Sequence, residues 1–194
     1  MGTTRSRNPN GLLESQIGEG LIAFLDFLRR RWPRPVAAGD PALQIDGRDL
    51  DETDMFFHVP NGVWTHPRVA ASFVAQGLKT GVVDYVWPIA KSVQAVEVGG
   101  PFPSGVESFA ALGLELKRSR PKGSLSSDQV RFQAAVRELT NWKIVTVWGL
   151  WEAARVVQRY GGYPVAALAA IPRDRPPGRI DIDPWDGHLY TGEL

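Results

Sequence analysis

One six-residue stretch carries the pattern that decides the fold: Leu112-Gly113-Leu114-Glu115-Leu116-Lys117. The leucines alternate with the other residues, and an apolar pattern with a period of two is typical of a β-strand. Side chains two positions apart lie on the same face of a strand, so Glu115 and Lys117 lie side by side on the face opposite the leucines. The stretch therefore predicts a strand that buries one face and presents a carboxylate and an ammonium on the other.

A further carboxylate lies upstream, inside the apolar stretch Val82-Val83-Asp84-Tyr85-Val86-Trp87. The stretch predicts a buried strand, where a charge is costly unless it is paired or bound to a metal. Two carboxylates can hold a hard divalent cation, and a lysine can hold water or stabilise a negatively charged transition state. Asp84, Glu115 and Lys117 therefore predict phosphodiester hydrolysis. A Glu and Lys pair exposed on a strand surface is the alternative interpretation of the Glu-x-Lys triplet alone.

Periodicity and turn residues predict the other elements. Apolar residues recur at three- and four-residue steps from Leu12 to Arg31, which predicts a helix that ends before Pro33. Residues 33–54 are rich in Pro, Gly and Asp and predict a loop. The remaining predicted elements are strands over 55–59, 93–98 and 143–148 and helices over 67–76, 126–139 and 151–160. This order predicts an α/β or α+β domain with a mixed sheet.

Composition indicates the class of protein. The chain has 194 residues, of which 43% are hydrophobic and 22% charged, as is typical of a globular protein with one core. We expect a tail over residues 1–11, one domain over 12–165 and a Pro- and Arg-rich arm over 166–194. No cysteine is present, which excludes disulfides and Cys-ligated zinc and suits a cytoplasmic location. The net charge of +1 means that any DNA contact must come from local patches.

Four ordered blocks point to a family. They are Phe56-Phe57-His58-Val59-Pro60-Asn61-Gly62, Gly77-Leu78-Lys79-Thr80-Gly81-Val82-Val83-Asp84, Leu114-Glu115-Leu116-Lys117-Arg118 and Lys122-Gly123-Ser124-Leu125-Ser126-Ser127-Asp128-Gln129. In this order they resemble the VRR-NUC family, a branch of the PD-(D/E)XK nucleases, in its stand-alone phage and bacterial form. The resemblance runs from about Glu14 to Tyr160. It implies a restriction-endonuclease-like fold, in which helices flank a mixed central sheet.

The resemblance also implies a role for each matched residue. Asp84 and Glu115 match the two metal-binding carboxylates, and Lys117 matches the catalytic lysine. Gln129 matches the glutamine of a Ser-x-x-Gln motif that belongs to the catalytic site. The other matched positions are Glu14, which corresponds to a glutamate that can approach the metal, and Asn61 of the Pro-Asn-Gly block.

The sequence departs from the family pattern at two places. Val83 stands where the family usually has proline, which alters the local turn but removes no ligand. The segment from Pro88 to Ala111 is longer than the usual hairpin, and its extra length would reshape access of the substrate.

Our hypothesis is a DNA endonuclease that depends on Mg²⁺ or Mn²⁺. Asp84, Glu115 and the carbonyl of Leu116 would hold the metal. Three basic residues directly follow the Glu-x-Lys strand and would position DNA phosphates, together with Asn61: Arg118, Arg120 and Lys122. The resemblance implies a homodimer acting on branched or flapped DNA, in the host cytoplasm if the chain is phage-encoded. Neither a membrane nor a nucleotide cofactor is expected.

Several residues have a structural interpretation as well. Ser126 and Gln129 have the spacing of a helix capping box, which accounts for both without catalysis. Glu14 could be a favourable acid in the first turn of a helix. His58 suggests a His-Asn-His nuclease motif, but the spacing around Asn61 is too compressed for that fold. For the whole chain, the alternatives are a non-catalytic DNA-binding or assembly protein and an unrelated α/β binding module.

Overall fold

A computed structural model describes residues 13–36, 39, 44–45, 47–59, 82–96, 103–118 and 124–171. The helices are α1 (Glu14–Arg31), α2 (Ser127–Leu139) and α3 (Leu150–Gly161). The strands are β1 (Gln44–Ile45), β2 (Arg48–Asp49), β3 (Phe57–His58), β4 (Tyr85–Trp87), β5 (Lys91–Val96), β6 (Pro103–Phe109), β7 (Ala111–Leu116) and β8 (Trp142–Val147). Short 3-10 helices cover Glu52–Met55 and Val165–Ala170.

The central sheet has four strands in the order β3-β4-β7-β8. The β3–β4 and β4–β7 pairs are antiparallel, and the β7–β8 pair is parallel. Parallel neighbours need a crossover connection, and α2 lies within the connection between β7 and β8. The predicted mixed sheet is confirmed.

Helices cover both faces of this sheet. The leucines of β7 belong to a buried cluster with residues of α1 and α3, such as Leu21 and Val157. On the opposite face a smaller cluster forms around Ile144, and Phe132 and Val136 of α2 pack against it. The alternation in β7 thus determines which helices pack on each of its faces. The leucines face α1 and α3, and the other side chains face α2. The predicted sheet with flanking helices is confirmed.

Two glycines in α1 allow the helix to approach its neighbours closely. A Cβ atom added to Gly18 would lie 2.5 Å from the hydroxyl oxygen of Tyr85 in β4. A Cβ at Gly20 would lie 2.6 Å from Cδ2 of Leu150, the first residue of α3. Glycine is a poor helix former, so these positions are explained by packing and not by helix propensity.

We expect Gly18→Ala to destabilise the protein, although alanine is the better helix former. Overpacking costs about 1–3 kcal/mol and exceeds the ~1 kcal/mol gained in propensity. Tyr85→Phe removes the clashing hydroxyl, so the Gly18→Ala/Tyr85→Phe double variant should recover the loss. Urea unfolding of the single and double variants measures both effects. Equal destabilisation by Gly18→Ala with and without the Tyr85 hydroxyl would contradict this explanation.

The prediction of a loop over residues 33–54 is wrong, because β1, β2 and the first 3-10 helix lie within or at the end of it. Polar contacts between residues distant in sequence hold this segment together. Asp51 is 3% exposed and accepts hydrogen bonds from the backbone of Arg34 and from Thr53. Such contacts produce no hydrophobic periodicity in the sequence, and periodicity is the pattern that predicts strands and helices.

The region around β5 and β6 also differs from the prediction. The predicted strand over 93–98 corresponds to β5. Its partner β6 is not predicted, because Gly99-Gly100-Pro101 and Pro103 indicate a break in the chain there. Proline is tolerated as the first residue of a strand, which is its position in β6. The predicted helix over 67–76 lies outside the described residues.

The packed core continues beyond α3. Ala167, Leu168 and Ile171 are buried with the main cluster, past residue 165, where the sequence suggested the domain boundary. None of the described helices combines the length and apolar character needed to span a bilayer.

Candidate active site

Strand pairing brings Asp84 opposite Glu115. In the antiparallel β4–β7 pair, Tyr85 lies opposite Leu114, so one further step of the same register aligns Asp84 with Glu115. Asp84 lies just before β4, and not within a strand as predicted, because its side chain bonds to the neighbouring strand. Its Oδ2 accepts a hydrogen bond of 2.7 Å from the backbone N–H of Leu116. The carboxylate is thereby fixed at the end of the sheet.

Glu115 and Lys117 form a buried pair. Glu115 is 0% exposed and Lys117 is 8% exposed. The Nζ atom of Lys117 donates a hydrogen bond of 2.5 Å to Oε1 of Glu115. The alternation of β7 predicted that the two side chains lie side by side, and this is confirmed. The alternative interpretation, an exposed surface pair, is wrong.

Gln129 contacts the same carboxylate from α2. Its Nε2 donates to Oε1 of Glu115, while its Oε1 accepts a hydrogen bond of 2.9 Å from the backbone N–H of Ser126. The Ser126 hydroxyl completes a capping box by accepting a hydrogen bond of 3.2 Å from the Gln129 N–H. The capping-box interpretation of Gln129 is therefore confirmed. The nitrogen of the same amide contacts Glu115, and a catalytic role for Gln129 stays a prediction.

The second carboxylate oxygen of Glu115 has different surroundings from the first. Oε2 is buried and has no hydrogen-bond partner among the described residues. A buried polar atom without a partner is rare and needs an explanation. A hard divalent cation would supply one, because Mg²⁺ and Mn²⁺ prefer carboxylate oxygens. In the described part of the chain no three His, Cys, Asp or Glu side chains gather into a metal-binding group. A cation here would rest first on the carboxylates of Asp84 and Glu115, and the predicted ligands Glu14 and the Leu116 carbonyl would add to them.

The charges of the site also favour a cation. The pKa of Glu115 is raised to about 7, first by burial and then by the nearby charge of Asp84, against the lowering effect of Lys117. Burial likewise raises the pKa of Asp84, opposed by the Leu116 N–H and by Lys117. A buried acid and a partly buried acid thus share the positive charge of Lys117. An additional positive charge would stabilise the ionised form of both.

We expect the metal-free protein to lose stability as the pH rises from about 5 to 7. The pKa of Glu115 is about 7 in the folded protein and ordinarily 4.5. The unfolded chain therefore releases this proton at lower pH than the folded protein does, and rising pH stabilises the unfolded state relative to the folded state. The slope from one such group is at most about 1.4 kcal/mol per pH unit. Thermal unfolding between pH 5 and 8 measures it, with Glu115→Gln as the control in which this slope should disappear. An identical slope in both proteins would assign the effect to other groups.

Glu14 lies at the edge of the site. It is the first residue of α1, and its Oε1 accepts a hydrogen bond of 3.3 Å from the backbone N–H of Arg118. Its charge raises the pKa of both Asp84 and Glu115. Its role as a metal ligand stays a prediction, as does that of the Leu116 carbonyl.

Of the predicted DNA-contacting residues, the structure describes Arg118. It is exposed and directly follows the buried Lys117 at the end of β7. The others lie outside the described residues, and their roles stay predictions: Asn61, Arg120 and Lys122.

His58 is a neighbour of the site that sequence reasoning missed. It lies opposite Tyr85 in the β3–β4 pair, with 5.0 Å between the ring centroids. Its charge lowers the pKa of Asp84. In the sequence, His58 stands out only as part of a His-Asn-His motif. The signal that could have placed it is that β3 precedes β4 in the chain and can pair with it.

Comparison with solved structures finds similarity to a protein described as "VRR_NUC domain protein". The identity is 20% and the TM-score 0.47, and the match covers 77% of this chain and 88% of that chain. No family model matches the sequence, and no curated protein matches it.

Proposed function

We propose that this chain is a divalent-metal-dependent endonuclease that hydrolyses phosphodiester bonds in DNA. The observation that carries the proposal is the state of Glu115. One of its oxygens is held by Lys117 and Gln129, and the other is buried with no hydrogen-bond partner among the described residues. Acids whose pKa is raised by burial and that lie beside a lysine are typical of catalytic sites. The sequence blocks that resemble the VRR-NUC family favour DNA as the substrate.

Asp84 and Glu115 would hold Mg²⁺ or Mn²⁺, assisted by the Leu116 carbonyl and, in our prediction, by Glu14. When bound, the metal supplies Lewis acidity toward the phosphate and hydroxide near neutral pH. The fixed Asp84 carboxylate needs little reorganisation to serve as a ligand, because the Leu116 N–H already orients it.

Lys117 provides the positive charge of the site. Its Nζ lies against Glu115 Oε1 and is nearly buried, so its position is fixed before the substrate binds. An ammonium fixed there can orient the attacking water and stabilise the charge that develops on the phosphate. Gln129 holds the same oxygen of Glu115 and so keeps Oε2 turned away from both donors.

Cleavage assays with the purified chain test the proposal. The substrates are duplex, single-stranded, flapped and four-way-junction DNA, with Mg²⁺, Mn²⁺ or EDTA. We expect metal-dependent cleavage that favours branched or flapped DNA, as the family resemblance implies, and nicking of a covalently closed circle, which has no ends for an exonuclease. The Glu115→Gln variant is the matched control for a contaminating nuclease. DNA binding without cleavage under all conditions would favour the alternative, a non-catalytic DNA-binding or assembly protein. Sedimentation of the same sample tests the expected homodimer.

We expect the Arg118→Ala/Arg120→Ala/Lys122→Ala variant to bind DNA more weakly at every sequence and with a flatter salt dependence. Each duplex phosphate contact contributes about 0.9 to the slope of log affinity against log salt. A salt titration in Ca²⁺ measures the slope without cleavage. The control is Arg30→Ala, which removes a charge paired with Asp26 about 24 Å along α1 from Glu14. If the triple variant kept the wild-type slope, these residues would not contact the DNA backbone.

A further inference from the structure

The most buried side chain of α2 is polar. All 13 residues of this helix are described, and among them Gln133 alone is buried, with 3% exposure. The apolar residues that face the sheet from α2, Phe132 and Val136, are only partly buried. A buried amide is costly unless its hydrogen bonds are made, so its position is specified by its partners.

The side-chain amide of Gln133 forms hydrogen bonds through both its nitrogen and its oxygen. Its Nε2 donates to Oγ1 of Thr146 in β8 at 3.1 Å. Its Oε1 accepts from Nη2 of Arg137 at 3.4 Å, and the same Nη2 donates to the carbonyl of Ile144 at 3.1 Å. On α2, Gln129, Gln133 and Arg137 lie four positions apart and therefore on one face of the helix. We call Gln129, Gln133, Arg137 and Thr146 the polar ladder.

The polar ladder matches the geometry of the sheet beneath it. Thr146 lies directly opposite Glu115 in the parallel β7–β8 pair. Neighbouring strands are about 4.8 Å apart, and four residues of a helix rise about 6 Å. Two glutamines one turn apart can therefore reach two side chains that are neighbours in the sheet. Gln133 meets Thr146, and Gln129 meets Glu115.

The two kinds of contact constrain α2 differently. Apolar packing of Phe132 and Val136 is not directional, so a small shift of the helix costs little in that contact. The hydrogen bonds of Gln133 depend on distance and angle and fail on a shift of about an ångström. The amide of Gln129 is at the next turn, so it follows the placement of Gln133.

We propose that Gln133 is a positioning residue, which acts through Thr146 to hold the Gln129 amide against Glu115. By doing so it keeps Oε2 of Glu115 available to the metal. The placement of Gln129 stands on the contacts alone, and its consequence for metal binding rests on the proposed function.

The first test uses the metal-free protein. The side-chain amide signals of Gln129 are identified by NMR through their loss in Gln129→Ala. In Gln133→Met, which keeps a similar volume, and in Thr146→Val, we expect these signals to move toward free-amide values and to exchange with solvent at least about tenfold faster. Thr146→Ser keeps the hydroxyl and should restore the wild-type signals. Val136→Ala removes packing from the same helix and is the control for general destabilisation.

The second test measures Mn²⁺ affinity by calorimetry. Loss of a group that orients a ligand typically costs about 10–100-fold in affinity. We expect about tenfold weakening in Gln133→Met and Thr146→Val and wild-type affinity in Val136→Ala. The Gln129→Ala/Gln133→Met double variant should bind no more weakly than Gln129→Ala alone, because Gln133 acts through Gln129.

The outcomes separate the two proposals. A wild-type protein that binds no Mn²⁺ contradicts the proposed function, while the NMR test of the polar ladder still applies. Unchanged Gln129 signals in Gln133→Met and Thr146→Val overturn the inference, as do additive losses of affinity in the double variant. A change in Val136→Ala equal to that in Gln133→Met also overturns it, because any loosening of α2 would then suffice.

Discussion

Glu115→Gln is expected to abolish DNA cleavage and to weaken Mn²⁺ binding strongly. Loss of a residue that only orients a metal ligand typically weakens binding about 10–100-fold, and loss of the ligand Glu115 should weaken it more. The substitution keeps the size of a fully buried side chain and removes its charge, so packing is preserved. Asp84→Asn should have the same effect from the opposing position. Calorimetry and cleavage of flapped DNA measure the two losses.

The matched control is Asp54→Asn. Asp54 is a partly buried carboxylate paired with Arg48 at 2.6 Å, and its charged neighbours include Arg29 near the far end of α1. We expect full cleavage and metal affinity in this variant. Glu115→Gln should also be no less stable than the wild type without metal above pH 7, since burial disfavours the ionised acid. Wild-type Mn²⁺ affinity in Glu115→Gln would remove Glu115 from the metal site.

Lys117→Met is expected to bind Mn²⁺ and to cleave DNA about 10²–10³-fold more slowly, the usual effect of losing one group that stabilises a transition-state charge. Lys117→Arg should also be impaired. The lysine is 8% exposed and its Nζ lies 2.5 Å from Glu115, so the planar guanidinium has little room. Single-turnover cleavage at saturating metal isolates this effect from binding.

Metal affinity in Lys117→Met should depend more strongly on pH than in the wild type. Lys117 lowers the pKa of Glu115, so its removal raises that pKa and leaves less carboxylate at pH 7. Titration with Mn²⁺ at pH 7 and pH 9 measures the difference. Full cleavage by Lys117→Arg would mean that any positive charge suffices at this position.

The centre of the fold could be predicted because its signals are local. The leucine alternation of β7 predicted which side chains face the core and that Glu115 and Lys117 share a face, and both are confirmed. The charge of Asp84 within an apolar stretch indicated that its carboxylate needs a paired charge, a hydrogen-bond donor or a metal. Its alignment with Glu115 follows from antiparallel pairing between neighbouring strands of the sheet.

The remaining features depend on contacts between residues distant in the sequence. No spacing rule indicates that one glutamine amide both caps α2 and binds Glu115, because the capping box alone accounts for Gln129. The partnership of Gln133 and Thr146 depends equally on how α2 lies on the sheet. The segment around Asp51 is ordered by polar contacts with Arg34, which hydrophobic periodicity does not detect.

The hairpin of β5 and β6 makes the spacing between Asp84 and Glu115 tolerant of change. These two strands form a separate sheet, and Val93 anchors them to the core near α3. The alignment of the two acids comes from β4 pairing with β7, whatever length of chain connects them. Doubling the length of a loop adds only about 0.6 kcal/mol to the entropic cost of closing it. The connection between β5 and β6 is therefore a place where evolution or an engineer can add sequence, such as a targeting module, while Asp84 and Glu115 keep their register.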